Sequence, residues 1–468
     1  MDYTLAQYND NFALLAYDGA KEKLCNVLGF PQDVMNFEYS STLFRRGLVI
    51  DKKNGNIVKT DRHRYARIAH HGLTELSSEK RKKVYNKLFT SFTGSNYVMI
   101  DTLFLLIDAL LFAQLVDLKD KSTDNEFLAG KSYEDLYKDV RTCVDMCHRD
   151  GVIKDAVMND PSKYIIEDPD LVPMLKRYRV NKKKVFLLTN SFWDYTNIVM
   201  NYLITGKSSI DENENKKWTE EFDVVIVGAC KPAFLKDSYL SMFRINEESG
   251  VLENIEDKDT FFDDDNGGGK IFQGGNWNDL HALLNLPSQG GGEKILYVGD
   301  HMYSDVLRSK RTLGWRTCLI IPELDHELNI YGVETALIKE LRYLRQVQYD
   351  LDEYLDLLRQ KDKMSDKWAN QLSQAEIKAG EIKLLISQKR KELSKKFNDM
   401  WGQLFKAGHQ DSAFALQVCD FACIYTSKAS NLGNVNPNRP FRPYADYMPH
   451  DQSISDEEKE IILDPVES

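Results

Sequence analysis

The stretch that decides the fold is Lys294–Asp300, KILYVGD, in which four consecutive apolar residues end at Gly299 and Asp300. A short, continuously apolar run that stops at small and polar residues is typical of a strand buried on both faces of a sheet. In open α/β sheets, ligands bind beyond the carboxyl ends of the strands. Asp300 is therefore predicted to lie at the functional edge of a parallel sheet.

Three further apolar runs have the same character, and each ends in small or polar residues. They are Lys184–Leu188, Phe222–Val227 and Thr317–Ile321. Helical patterns separate the runs, which is typical of parallel strands in a doubly wound sheet. The sequence therefore predicts an α/β fold in which the polar ends of these strands meet at one edge.

Composition narrows the functional class. The net charge of −11 argues against a general binder of nucleic acid polymers or of anionic membranes, because both need a basic surface. The longest apolar stretch, Met99–Val116, is interrupted by Asp101, Asp108 and Gln114, so it predicts a buried helix and not a membrane span. Seven scattered cysteines and an N-terminus without the basic and apolar regions of a signal peptide predict a cytoplasmic protein.

The chain of 468 residues is long enough for two or three domains. Residues 1–35 and 161–332 are assigned to a catalytic core. Residues 36–160, rich in helical patterns, are predicted to form a mainly helical cap inserted into that core. Leucines spaced three, four and seven apart between Leu337 and Leu358 predict amphipathic helices in a C-terminal region, 333–450, and residues 451–468 form an acidic tail.

The polar strand ends supply the groups that phosphoryl transfer requires. Carboxylates hold Mg²⁺, hydroxyl groups and backbone amides bind phosphate oxygens, and a lysine neutralises the charge that develops in the transition state. In chain order the candidates are Asp2, Thr4, Thr189, Asn190, Ser191, Lys231, Asp300 and Asp305. Each residue alone is a weak signal, whereas their order along successive apolar runs is a specific one.

These residues also carry a resemblance to a known family. Met1–Leu5 resembles the end of the Asp-x-Asp-x-Thr signature of haloacid-dehalogenase phosphatases, and Thr189–Ser191, Lys231 and Gly299–Asp305 resemble its later motifs. More narrowly, the chain is similar to the cytosolic IMP/GMP-specific 5′-nucleotidases in Thr42–Val49, Lys231–Phe234 and Leu307–Thr317. The resemblance implies a haloacid-dehalogenase-like Rossmannoid parallel sheet with an inserted cap and a C-terminal helical extension.

The resemblance implies a role for each residue at the strand ends. Asp2 would protonate the leaving ribose oxygen, later activate water, and offer its backbone carbonyl to Mg²⁺. Asp300 would bind the metal directly, and Asp305 would support the metal or its waters. Thr4, Thr189, Asn190 and Ser191 would bind the phosphate, while Lys231 would bridge the phosphate and the nucleophile.

The cap would provide the substrate contacts. Arg141, Asp145 and His148 are spaced to share one face of a helix, and the resemblance implies that they and Lys154 contact the nucleotide. Phe104 matches an aromatic residue that stacks on the base. His148 by itself would be read as an ordinary surface or packed histidine, and only the resemblance reverses that interpretation.

Two positions depart from the family pattern. The nucleophilic aspartate, which would form an aspartyl-phosphate, is expected immediately before Met1 and is absent from the sequence. Asp101 and Leu105 stand where well-known members carry asparagines. An ionised aspartate only accepts hydrogen bonds, whereas an asparagine also donates them, so the preferred base is left open.

The sequence predicts Mg²⁺-dependent hydrolysis of purine nucleoside 5′-monophosphates, IMP and GMP first, with phosphotransfer to another nucleoside as a side activity. The alternative is a non-catalytic nucleotide-binding protein that lacks the nucleophile. Apart from the nucleotide, the predicted partner is a second copy of the chain in a homo-oligomer. Neither a nucleic acid polymer nor a membrane is predicted as a partner. A helical interaction protein built on residues 333 to 404 is a third interpretation.

Overall fold

The computed structural model describes residues 1–85, 92, 94–122, 124–207, 218–247, 249–255, 269–287, 290–360 and 366–441. Residues 1–437 group into one unit. The predicted acidic tail, 451–468, lies outside the described residues.

The strands of the described chain are numbered in sequence order. They are β1 Gln7–Tyr8, β2 Leu48–Asp51, β3 Asn56–Thr60, β4 Ala66–His71, β5 Thr74–Glu75, β6 Tyr97–Met99, β7 Ile165–Ile166, β8 Phe186–Leu188, β9 Val224–Val227, β10 Met242–Ile245, β11 Leu252–Asn254, β12 Ile271–Gly274, β13 Leu296–Gly299, β14 Arg316–Ile320, β15 Lys406–Ala407, β16 Gln410–Asp411 and β17 Ile424–Thr426.

The α-helices are distributed along the whole described chain. They are α1 Asp10–Asn26, α2 Ser78–Tyr85, α3 Leu105–Lys121, α4 Glu126–Ala129, α5 Tyr133–Arg149, α6 Val152–Asn159, α7 Pro161–Tyr164, α8 Leu171–Val180, α9 Trp193–Thr205, α10 Trp277–Leu283, α11 Arg308–Leu313, α12 Glu323–Val333, α13 Thr335–Gln360, α14 Asp366–Phe397 and α15 Ala413–Phe421. A single π-helical turn, Met302–Leu307, precedes α11.

The four apolar runs of the sequence form parallel strands, so the prediction of an α/β protein with parallel pairing is confirmed. β8 pairs with β9 at Leu187 and Val225, and β13 pairs with β14 at Val298 and Cys318. β12 extends the first pair in parallel, and β17 extends the second. Antiparallel β10 and β11 continue the first array beyond β12.

The predicted single sheet is divided into two arrays. β8 is the outer strand of the array β11-β10-β12-β9-β8, and β13 is the outer strand of the array β13-β14-β17. No ladder between β8 and β13 occurs in the described part of the chain. Their edges nevertheless come together, because the hydroxyl group of Tyr297 donates to the carbonyl oxygen of Leu188 at 3.5 Å. The carboxyl ends of both arrays therefore share one side of the molecule.

The prediction that residues 36–160 are mainly helical was wrong for the first half of this segment. Strands β2 to β6 form a five-stranded antiparallel sheet in the order β5-β4-β3-β2-β6. β2 and β3 are joined by Lys52–Gly55, which ends in the Asn-Gly pair that favours tight hairpin turns. Val49, Ile50, Ile57 and Val58 are fully buried, and such β-branched residues favour strands.

Helical structure follows that sheet, as predicted. α3 buries every residue from Ile107 to Val116, which confirms the buried helix expected in the apolar stretch. None of the helices in the described ranges has a stretch long and apolar enough to cross a bilayer.

The long C-terminal helices α13 and α14 pack on each other, as the leucine spacing predicts. Leu337, Leu341 and Leu344 are buried against Ile386 and Leu393 of α14. Leu355 and Leu358 pack on α14 farther along the pair. The hairpin is thus held by two apolar clusters along its length.

Lys59 ties the antiparallel sheet to the segment that follows this hairpin. Its side chain is 4 % exposed, and its Nζ donates to the carbonyl oxygens of Trp401, at 2.7 Å, and Gln403. Burial lowers the pKa of Lys59 to about 7, against the opposing charge of Glu327. Between pH 7 and the ordinary pKa of a lysine, the folded chain therefore carries a neutral amine where the unfolded chain is charged.

The free energy of unfolding of the wild type, minus that of Lys59→Met, is expected to increase with pH above about pH 7, by at most about 1.4 kcal/mol per pH unit. The sign follows because the unfolded chain binds the proton that the folded chain has lost. Urea unfolding at intervals from pH 6 to 9.5 measures this difference. If this difference in the free energy of unfolding is constant over the pH range, the lowered pKa of Lys59 is wrong.

Candidate active site

Both carboxylate oxygens of Asp2 accept hydrogen bonds. The Tyr8 hydroxyl donates to Oδ1 at 2.5 Å, and the Ser191 hydroxyl donates to Oδ2 at 3.0 Å. The Tyr8 hydroxyl also lies 2.8 Å from that of Tyr195. Two hydroxyl donors fix the direction of this carboxylate. Ser191 follows β8, so this contact joins the N-terminal segment to the first array.

Asp300 lies at the carboxyl end of β13 and joins the same segment to the second array. Its Oδ1 accepts a hydrogen bond from the Thr4 hydroxyl at 2.8 Å, and its backbone carbonyl accepts one from Arg46 at 3.0 Å. Burial raises the pKa of Asp300, and the neighbouring charge of Asp305 raises it further. Two carboxylates in one buried region repel each other, and a cation between them would relieve that repulsion.

Lys231 and Asp305 form a buried ion pair beneath these groups. Lys231 Nζ lies 2.7 Å from Asp305 Oδ1 and donates at 2.7 Å to the hydroxyl oxygen of Tyr297. Burial alone would raise the pKa of Asp305, but the ammonium group of Lys231 holds it below its ordinary value. A side chain at Gly299 would place its Cβ 2.6 Å from that of Asp305, so glycine is required where β13 ends.

Thr189 and Asn190 shape the loop after β8. The Thr189 hydroxyl accepts a hydrogen bond from the backbone amide of Ser191 at 3.1 Å. The Asn190 side chain accepts from the Lys231 amide at 2.6 Å and donates to the Lys231 carbonyl at 3.0 Å. Asn190 thus fixes the backbone that carries Lys231, and Ser191 is the member of this loop that contacts Asp2.

The predicted substrate residues of the cap lie beside this cluster. The Phe104 ring packs edge-on against Tyr3 at 4.8 Å and against His148 at 6.0 Å, measured between ring centres. Lys154 Nζ lies 5.9 Å from the ring centre of Tyr195. Aromatic contacts therefore connect His148 and Lys154 of the cap to the residues around Asp2.

Arg141 is anchored on both sides by carboxylates. Its guanidinium contacts Asp145 on the same helix and lies 2.9 Å from buried Asp108 of α3. Burial raises the pKa of Asp108 to about 6, although the charge of Arg141 opposes the shift. Burial and the charge of Arg141 lower the pKa of His148, which favours a neutral imidazole at neutral pH.

The oxygen-rich donor set fits Mg²⁺. The described residues contain no group of three His, Cys, Asp or Glu side chains arranged as a metal cage. Mg²⁺ is commonly held by one or two carboxylates together with water and substrate phosphate, so a protein cage is not required. Asp300 and Asp305, with the backbone carbonyl of Asp2, would be the chain's contribution to such a site.

Sequence reasoning missed several residues that the fold brings to this cluster: Tyr3, Tyr8, Tyr195, Tyr297, Asp108 and Arg46. Tyrosines and an arginine within apolar runs carry no functional signal by themselves. The available cues were position in sequence: Tyr3 lies within the Asp2–Thr4 motif, Tyr8 follows it closely, and Arg46 lies in the stretch Thr42–Val49.

Comparison with known proteins identifies the class of this protein. The sequence pattern of the 5′ nucleotidase family matches residues 1–453, nearly the whole chain. The chain therefore belongs to the 5′ nucleotidase family and is by class a 5′-nucleotidase.

Two relatives align along almost the full chain. A 5′-nucleotidase domain-containing protein of Dictyostelium discoideum is 27 % identical over 462 residues, which cover 97 % of this chain and 72 % of the relative. The human 5′-nucleotidase domain-containing protein 2 is 26 % identical over 468 residues, which cover 97 % of this chain and 82 % of the relative. The predicted membership of a 5′-nucleotidase family is confirmed.

Replacing Lys231 by Met should lower the free energy of unfolding by about 3–5 kcal/mol, because it leaves Asp305 buried without a partner. The double variant Lys231→Met/Asp305→Asn should recover part of that loss, since the uncompensated charge is removed. Urea unfolding of both variants measures this coupling.

Lys428→Met is the matched control for this pair. Lys428 contacts Asp168 and Asp170 near the surface, at 3.4 and 3.3 Å. Its loss should change the free energy of unfolding by about 1 kcal/mol or less. If Lys231→Met and Lys428→Met lower the free energy of unfolding equally, the buried ion pair stabilises the fold no more than the surface contact does.

Proposed function

We propose that this chain catalyses Mg²⁺-dependent hydrolysis of purine nucleoside 5′-monophosphates, IMP and GMP first, to nucleoside and phosphate. The observation that carries the proposal is the carboxylate of Asp2, which the hydroxyl groups of Tyr8 and Ser191 hold. Two residues along the chain, Thr4 binds Asp300, and Lys231 pairs with Asp305. This arrangement supplies a general acid and base, phosphate ligands and a cation within one site.

In the proposed first step, the aspartate that the family pattern places before Met1 would attack phosphorus. The new bond is between its carboxylate oxygen and phosphorus, and the bond between phosphorus and the ribose oxygen breaks. Asp2 gives its proton to that oxygen. Burial lowers the pKa of the Met1 amine, on which the charges of Asp2, Lys231, Asp300 and Asp305 also act.

In the proposed second step, water attacks the aspartyl-phosphate. Asp2 accepts a proton from the water, phosphate leaves, and the aspartate is regenerated. A ribose hydroxyl in place of water would give phosphotransfer to a second nucleoside. Ser191 and the loop amides after β8 would bind phosphate oxygens, and Lys231 would balance their charge. Magnesium, held by Asp300, Asp305 and the Asp2 carbonyl, would supply additional positive charge to the phosphate.

The fold assignment belongs to this proposal. The arrays that contain β8 and β13 would be the halves of one haloacid-dehalogenase-like sheet. Residues 1–35 and 161–332 would form the catalytic core, and residues 36–160 would form the cap. Support comes from the facing edges of β8 and β13, whose carboxyl ends carry Ser191 and Asp300. Cytoplasmic location and homo-oligomer formation remain predictions from the sequence.

The decisive experiment measures phosphate release from IMP, GMP and AMP with Mg²⁺ or with EDTA. It compares the 468-residue chain with one extended upstream by an apolar strand ending in aspartate. We expect the extended chain to release phosphate from IMP and GMP only with Mg²⁺. Asp300→Asn in that chain should lower kcat/KM by about 100-fold or more, whereas Asp325→Asn, at an exposed position of α12, should leave it unchanged.

Two results would count against the proposal. If Asp300→Asn keeps wild-type turnover, the role given to Asp300 is wrong. If neither chain releases phosphate but both bind nucleotide, the non-catalytic nucleotide-binding alternative replaces hydrolysis.

Phe104→Ala tests the base-binding end of the site. Loss of base stacking should raise KM for IMP by about tenfold, within the range of about 1–3 kcal/mol for an aromatic ring on a base. Ribose 5-phosphate is the control substrate, because it carries the same phosphoryl group without a base. An equal change in KM for both substrates would mean that Phe104 supports the site without stacking on the base.

A further inference from the structure

Arg46 is a buried arginine to which neither the sequence nor the proposed mechanism assigns a role. It is 2 % exposed and lies in the stretch Thr42–Val49. Gly47, the next residue, has a φ of +82°, and a Cβ there would lie 2.5 Å from that of Phe414. The backbone beside Arg46 is therefore tightly fixed, which limits where its side chain can reach.

The guanidinium of Arg46 joins three elements that end near the site. It donates to the backbone carbonyl oxygens of Asp300, at 3.0 Å, and Ile320, at 3.3 Å. Two more of its N–H groups bind the carboxylate of Glu323, at 2.9 and 2.5 Å. The ends of β13 and β14 and the first turn of α12 are thus held by one rigid, planar group.

We propose that Arg46 is a positioning residue for magnesium binding, which fixes the backbone of Asp300 so that its carboxylate faces the metal. This inference rests on the proposed function. The hydrogen bond to the Asp300 carbonyl orients the peptide group beside the carboxylate, and the Thr4 hydroxyl holds one carboxylate oxygen. Groups that orient metal ligands in this way commonly change metal affinity by about 10–100-fold when they are removed.

Arg45 provides a matched comparison within the same stretch. It also forms an ion pair with α12, to Glu327 at 3.4 Å, and donates to the carbonyl oxygen of Phe397 at 2.5 Å. None of its hydrogen bonds to the described residues reaches Asp300. Substitution of either arginine therefore disturbs a link to α12, but only Arg46 touches the proposed metal ligand.

The test uses Mn²⁺ as the metal probe, with free Mn²⁺ followed by electron paramagnetic resonance and Mg²⁺ added in competition. The variants are Arg46→Lys, Arg45→Lys and Asp300→Asn, each in the 468-residue chain and in the upstream-extended chain, and each with its thermal midpoint measured. Lysine keeps the charge of Arg46 but cannot reach two carbonyl groups and a carboxylate together.

We expect Arg46→Lys to weaken Mn²⁺ binding by about tenfold or more. Arg45→Lys should keep the wild-type affinity even where its thermal midpoint falls. Equal affinities for the two arginine variants, or losses that follow the thermal midpoints, would overturn the role of Arg46. Unchanged binding in Asp300→Asn, or no Mn²⁺ binding by either chain, would instead overturn the metal site of the proposed function, and the role of Arg46 with it.

Discussion

The buried ion pair between Lys231 and Asp305 is the contact on which the arrangement of the site depends. Lys231 follows β9 in one array, and Asp305 follows β13 in the other. Since no ladder joins the arrays in the described chain, side chains and not backbone hydrogen bonds set the relation between their carboxyl ends. Charges as deeply buried as these tolerate little displacement, because each is stabilised only while its partner is in place.

The N-terminal segment is the second link between the arrays. Asp2 binds Ser191 of the first array, and Thr4 binds Asp300 of the second. Only one residue separates Asp2 and Thr4, so the segment fixes the spacing of the two strand ends to a few ångströms. The same residues that we propose for chemistry therefore also hold the two halves of the site at a defined separation.

Sequence alone predicted the elements whose signal is local. Runs such as Ile295–Val298 are recognisable as buried strands because apolar continuity is a property of the run itself, and Asp300 follows from the place where the run stops. The hairpin of β2 and β3 was missed, although Asn54-Gly55 marks its turn, because the basic and helical patterns around it dominated the interpretation.

The contacts of Tyr8, Tyr195 and Arg46 could not be predicted for a different reason. Tyr8 and Tyr195 meet across 187 residues, and Arg46 and Asp300 meet across 254. A single sequence contains no record of such pairing. What the sequence could supply was the list of polar strand ends. The tertiary fold then decides which ends meet, so Asn190 supports the Lys231 backbone while Ser191 contacts Asp2.

The charge balance of the cluster gives the physical reason for proposing a divalent cation. Asp2, Asp300 and Asp305 offer three carboxylates. Lys231 is already paired with Asp305, and Arg46, which binds the Asp300 carbonyl, is paired with Glu323. Arg141 is likewise neutralised by Asp108 and Asp145. A nucleoside monophosphate brings further negative charge, and the repulsion would be strong in a buried region of low dielectric constant. A dication held by Asp300 would weaken this repulsion, and it carries twice the charge of another lysine.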